Sequence, residues 1–206
     1  KHLLKKGARA TPFFSKTIDL MNDESLLRSS IRKRYKSFIN WGIRELDPYV
    51  YDANNITWEH INAFCQLHIK VSGRETRSEV SWRRQFEMVQ AGDAFLVLGS
   101  WKDELVSAGF FMVSKTNCYY GSSASRRDLF EKPLFHAIIW TAVLHAKKLG
   151  CRWFDVGEQL FPNHPINKLP TKKELDISRF KAGFGGNTRM VLDLKLDCSI
   201  GKSNAR

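Results

Sequence analysis

The side chains whose types and spacing could do chemistry lie in the last third of the sequence. Lys181 stands in Ser178-Arg179-Phe180-Lys181-Ala182-Gly183-Phe184-Gly185-Gly186, a short helical pattern that closes on glycines. An ammonium held beside a Gly-rich turn can face a phosphate or a developing oxyanion, and such electrostatic stabilisation is a large term in acyl transfer. Lys181 also reads as a solvated lysine on an amphipathic helix, like its neighbours Lys172 and Lys173. Upstream, Cys151-Arg152-Trp153-Phe154-Asp155-Val156-Gly157-Glu158 reads as a buried strand ending in Asp-x-Gly. Carboxylates at the C-terminal end of a sheet strand commonly face a ligand crevice, where they can orient or deprotonate an amine. Glu158, on the loop side, is the candidate base, and Asp155 the candidate orienting residue. An equal account has Asp155 cap the next loop while Gly157 permits the turn.

A second constellation is Tyr119-Tyr120-Gly121-Ser122-Ser123-Ala124-Ser125-Arg126-Arg127, read as a strand opening into a small-residue loop before a helix. Loop amides and helix starts bind anions, which makes Ser122, Ser123, Ser125, Arg126 and Arg127 candidate donor-binding residues. Tyr120 would line that pocket or donate to a leaving group. Ordinary turn chemistry accounts for the serines as well. Several chemistries are missing their signatures. There is no Gly-x-x-x-x-Gly-Lys-Ser/Thr or Gly-x-Gly-x-x-Gly loop, no His-Glu-x-x-His pair and no Gly-x-Ser-x-Gly elbow. Cys65, Cys118, Cys151 and Cys198 stand far apart without a Cys-x-x-Cys pair, so no metal site is expected and a reduced, cytoplasmic setting is.

The elements that must hold these residues follow from periodicity and punctuation. Residues 1–16 are basic, broken by Gly7 and Pro12, and read as a lead-in arm with at most a helical turn. A strand is expected over Thr17–Leu20. Asn22 or Asp23 then caps one helix running to about Leu46, with Leu27, Ile31, Tyr35, Phe38 and Gly42 on its inner stripe. A short strand at Pro48–Asp52 precedes helices capped at Thr57 and covering Glu79–Gln90. A three-strand meander follows over Ala94–Gly99, Leu105–Ser114 and Cys118–Ser122, turning at Asp103-Glu104 and Lys115-Thr116-Asn117. Pro133 opens and Gly150 closes an apolar helix. Arg152–Val156 is a strand, Glu174–Phe184 a helix and Arg189–Leu196 a last strand. That order predicts an α/β (α+β) domain over residues 17–197, with a mixed, largely antiparallel central sheet and helices on both faces. Residues 198–206 are expected to be a flexible tail.

The net charge of +12 is uneven: residues 1–45 hold 11 Lys/Arg against 4 Asp/Glu, and residues 172–206 hold 8 against 4. A positive face suits phosphates on CoA or a nucleotide-linked substrate, tRNA or an anionic membrane surface, and equally serves solubility. The longest apolar run, from Leu134 to Ala146, is too short to cross a bilayer.

Together these segments resemble the Fem-type, acetyltransferase-like domains of the GNAT superfamily. Three places carry the resemblance: Thr17-Ile18-Asp19-Leu20 with the basic Arg32-Lys33-Arg34-Tyr35 helix; Tyr119 to Ser125 leading to Trp140-Thr141-Ala142 and Ala146-Lys147-Lys148-Leu149-Gly150; and Phe154-Asp155-Val156-Gly157 with Phe180-Lys181-Ala182-Gly183-Phe184-Gly185-Gly186. The resemblance implies a GNAT-like fold and transfer of an acyl or aminoacyl group to an amine, with Lys181 handling the donor. Fem-type members take that group from aminoacyl-tRNA to modify peptidoglycan precursors, whereas other relatives use acyl-CoA such as acetyl-CoA. Three features depart from the pattern: Glu158 stands where a second glycine is expected, the Gln/Arg-x-x-Gly-x-Gly/Ala loop of CoA users is missing around Ser123–Lys132, and there is room for one domain where Fem-type enzymes have two. The donor therefore stays open between acyl-CoA and aminoacyl-tRNA. The expected function is an acyltransferase acting on an amine of a cell-envelope or nucleotide-linked precursor. A non-catalytic half of a two-domain protein and a basic nucleic-acid binder are the alternatives.

Overall fold

The computed structural model describes residues 2–163 and 169–197. A short helix α1 (His2–Lys5) leads into the eleven-residue strand β1 (Arg9–Asp19). Helices α2 (Glu24–Ser30) and α3 (Lys33–Leu46), the three-residue strand β2 (Tyr49–Tyr51), and helices α4 (Trp58–Ser72) and α5 (Glu79–Gln90) follow. Next come the meander strands β3 (Ala94–Trp101), β4 (Glu104–Val113) and β5 (Asn117–Ser125), then α6 (His136–Lys148), β6 (Trp153–Glu158), α7 (Lys172–Ala182) and β7 (Asn187–Lys195).

All seven strands join one sheet in the order β2-β3-β4-β5-β6-β1-β7, antiparallel throughout except for the β5–β6 pair. Alternation sends Phe95, Val97, Phe111 and Phe154 to one face, where they pack with Ile39 of α3 and Ile138, Ile139 and Val143 of α6. Leu96, Ala108 and Phe110 go to the other face, against Ile61, Phe64 and Leu67 of α4 and Trp82 and Val89 of α5. This is the expected mixed, largely antiparallel sheet with helices on both faces. Helices α4 and α5 cover only the β3–β5 part of their face, and that leaves room for a cleft beneath β6 and β1.

Three expectations change. Residues 9–16, read as part of an arm, are strand: β1 pairs with β7 from Arg9↔Lys195 to Thr17↔Asn187. Pro12 is tolerated because β6 pairs with β1 only from Ser15 onward, so no β6 partner is lost where Pro12 lacks an N–H. The single helix expected to run to Leu46 is two. Ile31 adopts an extended backbone (ψ 139°) that buries its side chain, and the Arg32 N–H donates to the Gly183 carbonyl at 2.9 Å. A long-range hydrogen bond thus replaces a helical one. Third, Ser123 and Ser125 are not on a loop: β5 continues past Ser122 and stays paired with β4 through Ser107↔Ser125. Asp23 does cap α2, its carboxylate accepting from the Leu26 N–H at 2.7 Å. The β3–β4 turn sits one residue earlier than expected, on Lys102 (φ 54°) and Asp103 (φ 63°), the left-handed pair that a two-residue hairpin turn requires. Cys198, His164 and the expected tail lie outside the described residues.

Candidate active site

Strands β5 and β6 run parallel for only three residue pairs, Asn117↔Trp153, Cys118↔Phe154 and Tyr119↔Asp155. Beyond them β5 follows β4 to Ser125, and β6 follows β1 through Ser15↔Glu158. The two strands therefore part at Tyr119 and Asp155, opening a wedge in the middle of the sheet. Backbone groups that line such a wedge have lost their ladder partners and can receive a ligand.

Lys181 reaches this point from α7. The helix starts with a capping box, in which the Thr171 N–H donates to the Glu174 carboxylate at 2.7 Å and the Glu174 N–H to Thr171 Oγ1 at 3.3 Å. It is anchored one turn before Lys181 by buried Ser178. The Leu160 N–H donates to Ser178 Oγ at 2.7 Å, and buried Gln159 Nε2 donates to the Ser178 carbonyl at 3.3 Å. The end of β6 thereby fixes the position of Lys181. Its Nζ lies against Gly157, where an added Cβ would come within 2.7 Å of it, and stands 5.8 Å from the Tyr120 ring centroid. Gly157 also has φ +100°. Both facts demand glycine there: a side chain would strain the backbone and displace the ammonium. Burial lowers the Lys181 pKa, and the Glu158 and Asp155 carboxylates oppose that shift.

Asp155 is held from two sides. Its Oδ1 accepts from the hydroxyl of buried Ser15 at 2.5 Å and from the Gly157 N–H at 2.7 Å. The contact with the Gly157 N–H is the turn-capping role that the sequence offered for Asp155. Glu158 is exposed at the end of β6. Together with Ser15, Phe13, Tyr119, Gln159 and Asp193, the two carboxylates line a cleft of about 760 Å³ on the sheet face left uncovered by α4 and α5. Tyr120 points to the opposite face, between Phe111 and Phe135, with its hydroxyl 2.5 Å from Ser123 Oγ. Burial pushes its pKa up to about 12, so the hydroxyl is protonated in the resting site.

The structure thus brings Lys181, Asp155, Glu158, Tyr120 and Ser123 to one junction, while the other expected donor contacts scatter. Ser125 lies 2.8 Å from the buried Ser107 hydroxyl. Arg126 is claimed by Glu104 and Asp128. Arg127 is exposed on the 3₁₀ turn Arg127–Leu129. Four contributors escaped the sequence reading. Ser15 and Tyr119 do so because strand register brings them to the site, and Gln159 and Ser178 because only tertiary contacts reveal their anchoring. A further group, His136, packs among Tyr35, Phe180 and Phe184 at ring-centroid distances of 4.4, 5.2 and 5.9 Å. Among the described residues no group of His, Cys, Asp and Glu is arranged to hold a metal ion. No described helix is long and apolar enough to cross a membrane.

A mixed sheet with helices on both faces, whose central parallel pair parts beside half-buried Lys181, is a GNAT-like fold of the Fem type. The crystal structure of FemX matches with a TM-score of 0.64 at 15% identity, over 86% of this chain and 59% of that one. The C-terminal domain of a putative lysylphosphatidylglycerol synthetase from Agrobacterium fabrum matches with a TM-score of 0.65 at 13% identity, over 93% and 62%. A tandem GNAT protein from the clavulanic acid biosynthesis pathway matches with a TM-score of 0.50 at 13% identity, over 93% and 56%. The chain therefore spans about three fifths of the length of these structures. No protein-family model and no curated protein matches the sequence.

Proposed function

We propose that this chain is an acyltransferase that moves an acyl or aminoacyl group onto an amine by direct attack within a ternary complex. The observation that carries the reading is the Lys181 ammonium, packed on side-chain-free Gly157 where β5 and β6 part, with a carboxylate-lined cleft across the sheet. The donor's carbonyl lies in the wedge and the acceptor amine in the cleft. Glu158 takes the proton from the amine, and Asp155, anchored by Ser15 and Gly157, orients it. The amine nitrogen attacks the carbonyl carbon, and Lys181 stabilises the resulting oxyanion. The intermediate collapses by breaking the bond to the leaving thiolate or ribose oxygen, which receives the Tyr120 proton. Holding both reactants at one junction supplies the remaining advantage.

The donor in this reading is an acyl-CoA, acetyl-CoA included, or an aminoacyl-tRNA; Ser122 and Ser123 border the wedge on β5, and exposed Arg127 is the better phosphate contact of the two arginines. The acceptor is a small amine-bearing cell-envelope or nucleotide-linked sugar or peptide precursor, met on the cytoplasmic side, with the basic α2–α3 surface available to tRNA or to an anionic membrane. The test is incubation with a panel of acyl-CoAs and charged tRNAs, followed by mass spectrometry of donor loss. Consumption of one donor class that Lys181→Ala abolishes supports the reading. No consumption and no donor-induced rise in Tm would instead favour a non-catalytic module.

A further inference from the structure

Strand β7 is the last of the sheet, and among the described residues no strand lies beside its outer edge. Of its nine residues only Leu194 is even partly covered; Met190 is 67% exposed, Leu192 46% and Val191 36%. An exposed edge with apolar residues at its centre, and neither proline nor lysine among them, invites pairing with another strand. The sequence of the strand says which one. Asn187-Thr188-Arg189-Met190-Val191-Leu192-Asp193-Leu194-Lys195 is self-complementary when laid antiparallel on a copy of itself about Val191. In that register Arg189 faces Asp193 of the second copy, twice by symmetry, Met190 faces Leu192, and Val191 faces itself.

Neighbouring registers do worse. Sliding the two strands so that Leu192 faces itself sets Arg189 against Lys195, and centring on Asp193 or Arg189 opposes like charges. Like charges directly opposite destabilise a strand pair and unlike charges stabilise it. Both sides of the ribbon agree with the Val191 register. The pairing of β7 with β1 puts Arg189, Val191, Asp193 and Lys195 on the face shared with Ser15, Phe13, Thr11 and Arg9, and puts Met190 and Leu192 on the other. The charged pair thus forms on the first face and the apolar pair on the second, without conflict.

We infer that β7 pairs with β7 of a second copy of this chain, joining two sheets into one through a two-fold axis at Val191. A closed, isologous arrangement of this kind uses up both edges and stops at two copies. Because Asp193 and Lys195 also line the cleft, and in-plane rotation keeps the same sheet face upward, the two clefts open side by side on one face of the dimer.

Sedimentation velocity over a wide concentration range tests this. The unsubstituted chain should form a dimer. Arg189→Asp sets Asp against Asp193 and Asp193→Arg sets Arg against Arg189, so each variant alone should be monomeric where the unsubstituted chain is dimeric. Mixed, the two should recover a heterodimer, since each supplies the charges the other lacks. Leu192→Lys, on the opposite face, should also abolish the dimer. Circular dichroism of each variant checks that these exposed substitutions leave the fold intact. A monomeric unsubstituted chain, single reversals that leave the dimer unchanged, or a mixture that stays monomeric would each overturn the inference.

Discussion

The two halves of the sheet are built to different standards. In β3 and β4, Phe95, Leu96, Val97, Val106, Ala108 and Phe111 are wholly buried between helices on both faces. In the β6-β1-β7 half, β7 is exposed along nearly its entire length, and one face of β6 and β1 opens onto the cleft. The candidate active site lies on the seam, where β5 belongs to the closed half and β6 to the open one. Rigidity comes from the first half and access from the second. A lysine delivered from α7 is the link between them. If this division is correct, substitutions in the closed half act on stability and those at the seam act on turnover.

The largest expected effect is therefore in the closed half. Phe111 stacks on Phe95 with ring centroids 5.2 Å apart and borders Tyr120 and Phe154. Phe111→Ala should cost about 3–5 kcal/mol, the range for emptying a buried aromatic site. Met190→Ala in the open half should stay within about 0.5 kcal/mol. Urea unfolding at concentrations where the chain is monomeric checks both, and comparable losses at the two positions would erase the contrast between halves.

At the seam, Lys181→Ala should lower turnover roughly 10²- to 10³-fold, as does loss of an oxyanion donor elsewhere, while Tm holds or rises because a half-buried charge is gone. The charge also sets a pH limit. Burial depresses the Lys181 pKa below its ordinary value of 10.5, so activity that needs the ammonium is lost as pH rises through that lowered value. Lys181→Arg keeps the charge at every accessible pH. The alkaline limb of kcat/KM should disappear in that variant even if its maximum is lower; an unchanged limb would assign it to another group.

Next in size is an acid-side effect. His136 sits among aromatic rings, its Nε2 buried without a hydrogen-bond partner among the described residues. Burial pushes its pKa down to about 4 from an ordinary 6.5. The unfolded chain thus binds this proton at a pH where the folded chain does not, and stability falls as pH drops through that window. The contribution reaches up to roughly 3 kcal/mol. His60, His68 and His145 are depressed by burial in the same direction, so the total slope is shared. His136→Phe should flatten the part lost between about pH 6.5 and 4, read as Tm against pH; an unaltered slope would show that His136 is neutral for some other reason.

How far these features could be read from the sequence depends on whether they are local. The meander, α5 and the apolar α6 stripe follow from alternation, helical periodicity and caps, and lie within a few residues of where those signals put them: the β3–β4 turn falls one residue early, β5 runs on to Ser125, and α6 begins at His136 and not at Pro133. The basic stretch before Thr17 misled because Gly7, Pro12 and five Lys/Arg residues hide a strand whose partner, β7, lies about 180 residues away. The break at Ile31 was hidden for the same reason, since the Gly183 carbonyl that causes it comes from the far end of the chain. In the site, Lys181, Asp155 and Gly157 were legible as types at a spacing. Nothing local shows that Gly157 is glycine to admit Lys181, or that Gly183 is glycine because a Cβ would lie 2.1 Å from the Tyr35 ring.

Ser15 is the sharpest instance. It stands in the stretch read as an arm, yet it is 1% exposed and donates to Asp155. Ser15→Ala removes one of two hydrogen bonds to that carboxylate and leaves the Gly157 N–H in place. The expected loss is about 1.5 kcal/mol, the lower end for a hydrogen bond to a charged group, or roughly tenfold if it falls wholly on kcat/KM. A positioning role predicts that the loss appears in turnover more than in Tm, and that Ser15→Thr, which keeps the hydroxyl, recovers most of it. A loss confined to Tm with normal turnover would make Ser15 a strut of the open half and shift the orienting of the amine to Glu158 alone.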